Sequence, residues 1–113
     1  MPARIGEAVA RVALLCPDLL FGSKLTGALR AAGHEVVAAG EEAELLVVDL
    51  TADPDERIAT AARAAIPRLG FYAHVEQDVR RRAEQAGFER VVPRSRMARE
   101  AAALVEGMVE DQS

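Results

Sequence analysis

Asp49 closes the apolar run Leu45-Leu-Val-Val48, and a carboxylate at the end of a buried segment has three possible uses. It could accept a phosphoryl group as a nucleophile, hold a ligand, or serve the structure as a cap or an ion-pair partner. Cys16, Asp18, His74, Arg94 and Ser95 fall at similar places, each at the end of an expected strand or the start of an expected helix. A carboxylate, an imidazole, a guanidinium and helix N-termini at one rim could hold an anion or a polar side chain of a partner. The structural alternative is equally concrete. Asp18 and Ser95 would then be helix caps, and Asp49 would pair with Arg94.

Cys16 is the only cysteine, so an internal disulfide and a CxxC motif are excluded. A thiol at a strand end facing a helix N-terminus can have its pKa depressed, and with His74 and Asp49 it would form a Cys-His-Asp nucleophile. A small core residue is the commoner role for such a cysteine, and the chain is not expected to be an enzyme. His34, the other histidine, falls in a turn where exposure is expected. No metal-ligand spacing, Gly-x-Gly-x-x-Gly or phosphate-loop pattern is present, so no metal and no cofactor is expected.

The 113 residues suit one domain. The apolar runs are too short for a membrane span or a signal h-region, and the expectation is a cytoplasmic protein without membrane contact. The net charge of −4 is uneven. Residues 80–99 hold Arg80, Arg81, Arg82, Arg90, Arg94, Arg96 and Arg99 against Glu84 and Glu89. That segment could be a solvated helix face or a surface for an acidic protein partner, whereas nucleic acid is not expected of so acidic a chain.

The elements that must position these residues are legible from period and punctuation. Arg11 to Cys16 reads as a strand buried on both faces, followed by a helix from Leu19 that Gly33 stops. Glu35 to Ala39 and Leu45 to Val48 are strand-like. Asp53-Pro54-Asp55-Glu56 starts a helix with a capping Asp, an early Pro and acids toward the dipole, with Ile58, Ala62 and Ala65 facing inward. Pro67 ends it. A fourth strand over 68–73 leads to a helix striped by Val75, Val79, Ala83 and Ala86, stopped by Gly87. Phe88 to Val92 is the fifth strand, and Ser95 caps a last helix that turns Met97, Ala101, Leu104, Val105 and Met108 inward.

Apolar strands alternating with helices predict an α/β domain with a parallel sheet covered on both faces, in the three-layer flavodoxin-like order 2-1-3-4-5. One junction strains that pattern, because only Gly40 to Glu44 separates the second and third strands. A chain of that length reaches at most roughly 20 Å, and crossing one strand and returning needs about 16 Å. An extended crossover is feasible and a helical one is not. The helix between strands 2 and 3 would be shortened or missing, leaving apolar surface for a second subunit and hence a homodimer. The alternatives are neighbouring helices that shift to close the gap, or a hairpin return of the second strand.

With these elements in place, residues 11 to 109 resemble the receiver domain of two-component response regulators, the CheY-like fold. The best local match is AGFERVVPRS, which is similar to the segment entering the last receiver helix. The resemblance implies a bacterial signal-transduction protein in which Asp49 stands at the phosphoryl-accepting position. Cys16 and Pro17 stand where the family has the acidic pair that holds Mg²⁺, with Asp18 one position late. Tyr72 replaces the hydroxyl residue that contacts the phosphoryl group, Arg94 the lysine, Ser95 the proline after it and Val91 the aromatic switch residue. Proline offers no ligand side chain and a thiol is a poor ligand for Mg²⁺, which leaves Asp18 and Asp49 as a weak site at most. Asp18-Leu-Leu-Phe21, Phe71-Tyr-Ala-His74-Val75 and Pro93-Arg-Ser-Arg-Met97 further resemble stretches of small, atypical receiver-like proteins. The implied reading is a stand-alone pseudo-receiver, spanning 11–110 between tails 1–10 and 111–113, that works as a protein-interaction module. Tyr72 is expected to fill the altered pocket, and the partner surface is expected at Arg80, Arg81, Arg90, Arg96 and Arg99. The alternative is an unconventional receiver that is phosphorylated, or binds a small anion, at Asp49, His74 and Arg94.

Overall fold

A computed structural model of the chain describes residues 9–111, so most of the two expected tails, at 1–8 and 112–113, lies outside the described residues. Five strands form one parallel sheet in the order β2-β1-β3-β4-β5. They are β1 (Arg11–Leu15), β2 (Glu35–Ala38), β3 (Leu45–Asp49), β4 (Arg68–Tyr72) and β5 (Arg90–Pro93). Val12 pairs with Val36 on one side and Leu45 on the other, Asp49 pairs with Phe71, and Tyr72 pairs with Pro93. Four helices connect or follow them: α1 (Leu19–Ala31), α2 (Pro54–Ala62), α3 (Gln77–Gln85) and α4 (Arg94–Asp111). The expected fold class and strand order are therefore observed.

Alternation along β3 divides the core into two layers, since successive strand side chains point to opposite faces. Leu45 and Val47 join Phe21, Leu25 and Leu29 of α1 and Met97, Leu104 and Val105 of α4. Leu46 and Val48 join Ile58 and Ala61 of α2 and Val79 and Ala83 of α3. All five residues of β3 are buried, as a central parallel strand covered on both faces requires. Gly33 and Gly87 stop α1 and α3 in the left-handed region, with φ of 96° and 99°.

The second crossover is parallel and extended, and the described residues contain no helix between β2 and β3. The hairpin alternative is thereby excluded. Part of the gap is closed by the loop at Ala43 and by Ala64 and Ile66 beyond α2, which pack against the layer containing Ala13 and Leu46.

Several local expectations are corrected. Asp53 precedes α2 with φ 49° and makes no side-chain cap, because a left-handed backbone does not present the extended cap geometry. The inward side of α2 is Ile58 and Ala61 rather than Ile58, Ala62 and Ala65, since the helix ends at Ala62. Val75 precedes α3 and is 74% exposed. Ser95 lies inside α4, which starts directly at Arg94, so it is not the N-cap. Ala10 is 3% exposed, and α4 extends through Asp111.

His34 is buried, not exposed. Its Nδ1 accepts the Ala10 N–H at 3.1 Å and its Nε2 lies 3.1 Å from Glu106 Oε2. The bond at Nδ1 places the neutral ring's proton on Nε2, where it is donated to the carboxylate. The ring thus ties the start of β1 to α4.

Candidate functional site

The carboxyl ends of β1 and β3 carry the groups that sequence reasoning singled out. Asp49 is 4% exposed at the end of β3. Its Oδ1 accepts the Thr51 N–H at 2.8 Å and the Thr51 hydroxyl at 2.5 Å, a local turn in which the side chain replaces a backbone acceptor. The Cys16 thiol donates to Oδ2 at 3.6 Å and also lies 3.5 Å from the Asp18 carbonyl oxygen. Both oxygens of the buried carboxylate are therefore met by groups of the chain itself.

Asp18 is the N-cap of α1, accepting the Phe21 N–H on Oδ1 at 3.0 Å. Its other oxygen lies 3.6 Å from Arg94 Nη2. The expected Asp49–Arg94 pair is thus replaced by an Asp18–Arg94 pair. The reason is packing: the Arg94 guanidinium sits over the Phe21 ring at 4.0 Å, and Phe21 in turn packs on Phe71 with centroids 5.1 Å apart. A cation over an aromatic face is held by the ring quadrupole, and here this draws Arg94 toward the α1 cap. Phe21 and Thr51 were not among the residues singled out for the site. The signals available were an aromatic three residues after the capping Asp, and a hydroxyl two residues after Asp49.

The thiol of Cys16 is pushed up from 9.0 to about 11, chiefly by burial and next by the adjacent Asp49 carboxylate. The expectation that the helix N-terminus would depress it fails, because desolvation and a negative neighbour both favour the neutral form. At neutral pH the group is a hydrogen-bond donor and not a thiolate nucleophile.

Tyr72 and His74 do not join this cluster. Tyr72 is 1% exposed, but strand alternation sends it to the opposite face from Phe71, into the layer with Val79 and Ala83. Its hydroxyl accepts from Gln77 Nε2 at 3.3 Å. It therefore fills space beneath α3 rather than the pocket beside Asp49. His74 is exposed in the loop before α3, where its backbone oxygen accepts from Gln77 Nε2 at 2.7 Å. Ser95 is also exposed.

The arginine-rich segment is largely neutralised within the chain. Arg80 pairs with Glu84 at 3.1 Å, Arg82 with Asp78 at 2.6 Å and Asp55 at 2.9 Å, Arg96 with Glu100 at 3.3 Å and Arg99 with Glu100 at 3.7 Å. Arg81 and Arg90 make no ion pair among the described residues. Around the rim exposed apolar side chains stand among the exposed polar groups Asp18, His74, Arg94 and Ser95. Leu19 and Leu20 are 83% and 86% exposed at the start of α1, and Val75 lies exposed at the end of β4.

A doubly wound parallel sheet with an acidic residue at the carboxyl end of its central strand defines the class. Comparison with solved structures then gives the particular fold. A response regulator from Thermotoga maritima matches with a TM-score of 0.75 at 15% identity, covering 90% of this chain and 98% of that one. A Francisella response-regulator receiver domain matches with a TM-score of 0.78 at 10% identity, covering 92% and 99%. A Burkholderia pseudomallei response regulator, solved with a phosphorylated aspartic acid, a calcium ion and citrate, matches with a TM-score of 0.70 at 14% identity, covering 89% and 69%. No family model matches the sequence, and no curated protein matches it. The chain has the fold of response-regulator receiver domains.

The donor set does not fit the divalent cation that receiver chemistry would use. Hard cations of this kind want several oxygen ligands, and Mg²⁺ wants them octahedral. Here the groups nearest Asp49 are a protonated thiol and a threonine hydroxyl that already donates, while Asp18 is engaged by Phe21 and Arg94. Among the described residues no group of three or more His, Cys, Asp or Glu could hold a metal ion.

Proposed function

We propose that this protein is a degenerate receiver, a signalling module that works by binding another protein and is not phosphorylated in the Mg²⁺-dependent way. The observation that carries the reading is the state of Asp49. An acceptor carboxylate needs a free oxygen to attack phosphorus and a cation to offset charge on the phosphoryl oxygens. In this chain one oxygen takes two bonds from Thr51, the other faces the Cys16 thiol, and the neighbouring Asp18 is held as a cap and ion-pair partner. The fold is then a platform whose surface carries the function, as the exposed pair Leu19 and Leu20 and the unpaired Arg81 and Arg90 support.

Incubation with a small phosphodonor and Mg²⁺, followed by intact mass measurement, tests this. The expected result is an unchanged mass. An adduct that forms on the natural chain and is lost in Asp49→Asn would overturn the reading and establish the phosphorylatable alternative.

A further inference from the structure

The absent crossover helix leaves a groove of about 280 Å³ at the amino ends of β1 and β3. Ala13 and Leu46 form its floor, Gly40, Glu41 and Glu42 one wall, and Ile66 the other. Farther along the same face Leu15 and Val37 remain half-buried, because no helix lies over β1 and β2 there. The wall at 40–44 is acidic, while exposed Arg63 precedes the opposite wall. Every charged side chain from Glu35 to Glu56 is acidic. Arg11 lies 3.6 Å from Glu35 and 3.9 Å from Glu41, but Glu42 makes no ion pair among the described residues.

We propose that this groove docks a cationic amphipathic segment of another protein, whose apolar side chains enter over Ala13 and Leu46 and whose Lys or Arg residues meet Glu41 and Glu42. The proposal deepens the interaction-module reading and rests on it. Two arguments select the occupant. A parallel sheet face is ordinarily covered by a helix, so an amphipathic helix has the shape of what the fold lacks. A second copy related by a two-fold axis through the groove would set Glu42 against its own equivalent while Arg11 is already engaged by Glu35 and Glu41, and like charges across an interface oppose association.

The test uses the full chain, labelled with ¹⁵N, and two synthetic amphipathic peptides with one leucine spacing, flanked by lysine in the first and by glutamate in the second. The lysine peptide is expected to shift the amides of Ala13, Val37, Ala43, Leu46 and Ile66, with the response weakening as salt rises. The glutamate peptide is expected to leave them unmoved. Glu42→Lys reverses the charge and Ala65→Phe blocks the groove while keeping it, and both should lose the response. Equal response to both peptides, an Ala65→Phe variant that binds like the natural chain, or no shift in the groove overturns the proposal. Groove amides that shift with protein concentration alone would make the occupant a second copy, which also overturns it. A phosphoryl adduct on Asp49 would sink the degenerate-receiver reading without altering the groove response, so the two failures are distinguishable.

Discussion

The two faces of the sheet are built to different standards. On the α1 and α4 side, Phe21, Leu25, Leu29, Phe71, Met97 and Met108 form one layer of large side chains. On the α2 and α3 side the layer relies more on alanines, among them Ala13, Ala61 and Ala83, and it thins out where a crossover helix would stand. The first face carries the larger side chains, although a groove of about 440 Å³ runs beside α1 at Leu14, Cys16 and Thr26. The second is sealed by loop residues where a helix is absent, and the proposed docking groove lies there.

The largest expected effect tests that contrast directly. Phe71→Ala on the full face should cost about 3 to 5 kcal/mol, the range for deleting a buried aromatic. Leu46→Ala on the thin face should cost less, toward about 2 kcal/mol, because the groove beside it allows the loops at 40–43 and 64–66 to relax into the space. Urea unfolding of the two variants measures both. Equal losses would show that the thin face is packed as rigidly as the full one.

A smaller effect sharpens the comparison within the second face. A Cβ built on Gly70 lies 2.8 Å from Leu50 Cδ1 and 3.0 Å from the Phe88 ring. Gly70→Ala is therefore expected to destabilise by about 1 to 3 kcal/mol through overpacking. Leu50→Ala in the same chain should recover part of that loss, and a double-mutant cycle in urea reports the coupling. Additive losses would mean that this spot has slack as well.

The fold was legible because its signals are local and agree with one another. Apolar runs without alternation marked buried parallel strands, and Gly33 and Gly87 marked helix ends. The five-residue connection at 40–44 even predicted the missing helix, since chain reach is a geometric bound. Side-chain partners were less legible. Nothing in spacing says that Arg94 prefers the Phe21 ring to the Asp49 carboxylate, because that choice depends on how α1 packs beside α4 on one face of the sheet. Tyr72 illustrates the same limit. It was expected beside Asp49, and only the register that pairs Asp49 with Phe71 puts it on the other face. His34 read as a surface turn because its partners, Ala10 and Glu106, are distant in sequence.

The smallest expected effect concerns the rim itself, where the thiol of Cys16 is half-buried. Its pKa stands at about 11 in the folded chain against 9.0 for an ordinary thiol. The folded state thus holds the proton more tightly than the unfolded state does. Its contribution to stability is complete below about pH 9 and is lost as pH rises toward 11, because over that window the unfolded chain has released a proton that the folded chain retains. Partial solvation makes the effect modest. Cys16→Ala removes the group, so the difference in urea midpoint between the natural chain and this variant should narrow from pH 9 to 11 while other titrations cancel. Asp49→Asn takes away the neighbouring charge and should bring the pH at which the thiol is half-labelled downward. If labelling in the natural chain instead followed an ordinary thiol, Cys16 would be solvated rather than buried against Asp49, and the reading that the chain's own groups engage both oxygens of that carboxylate would fail.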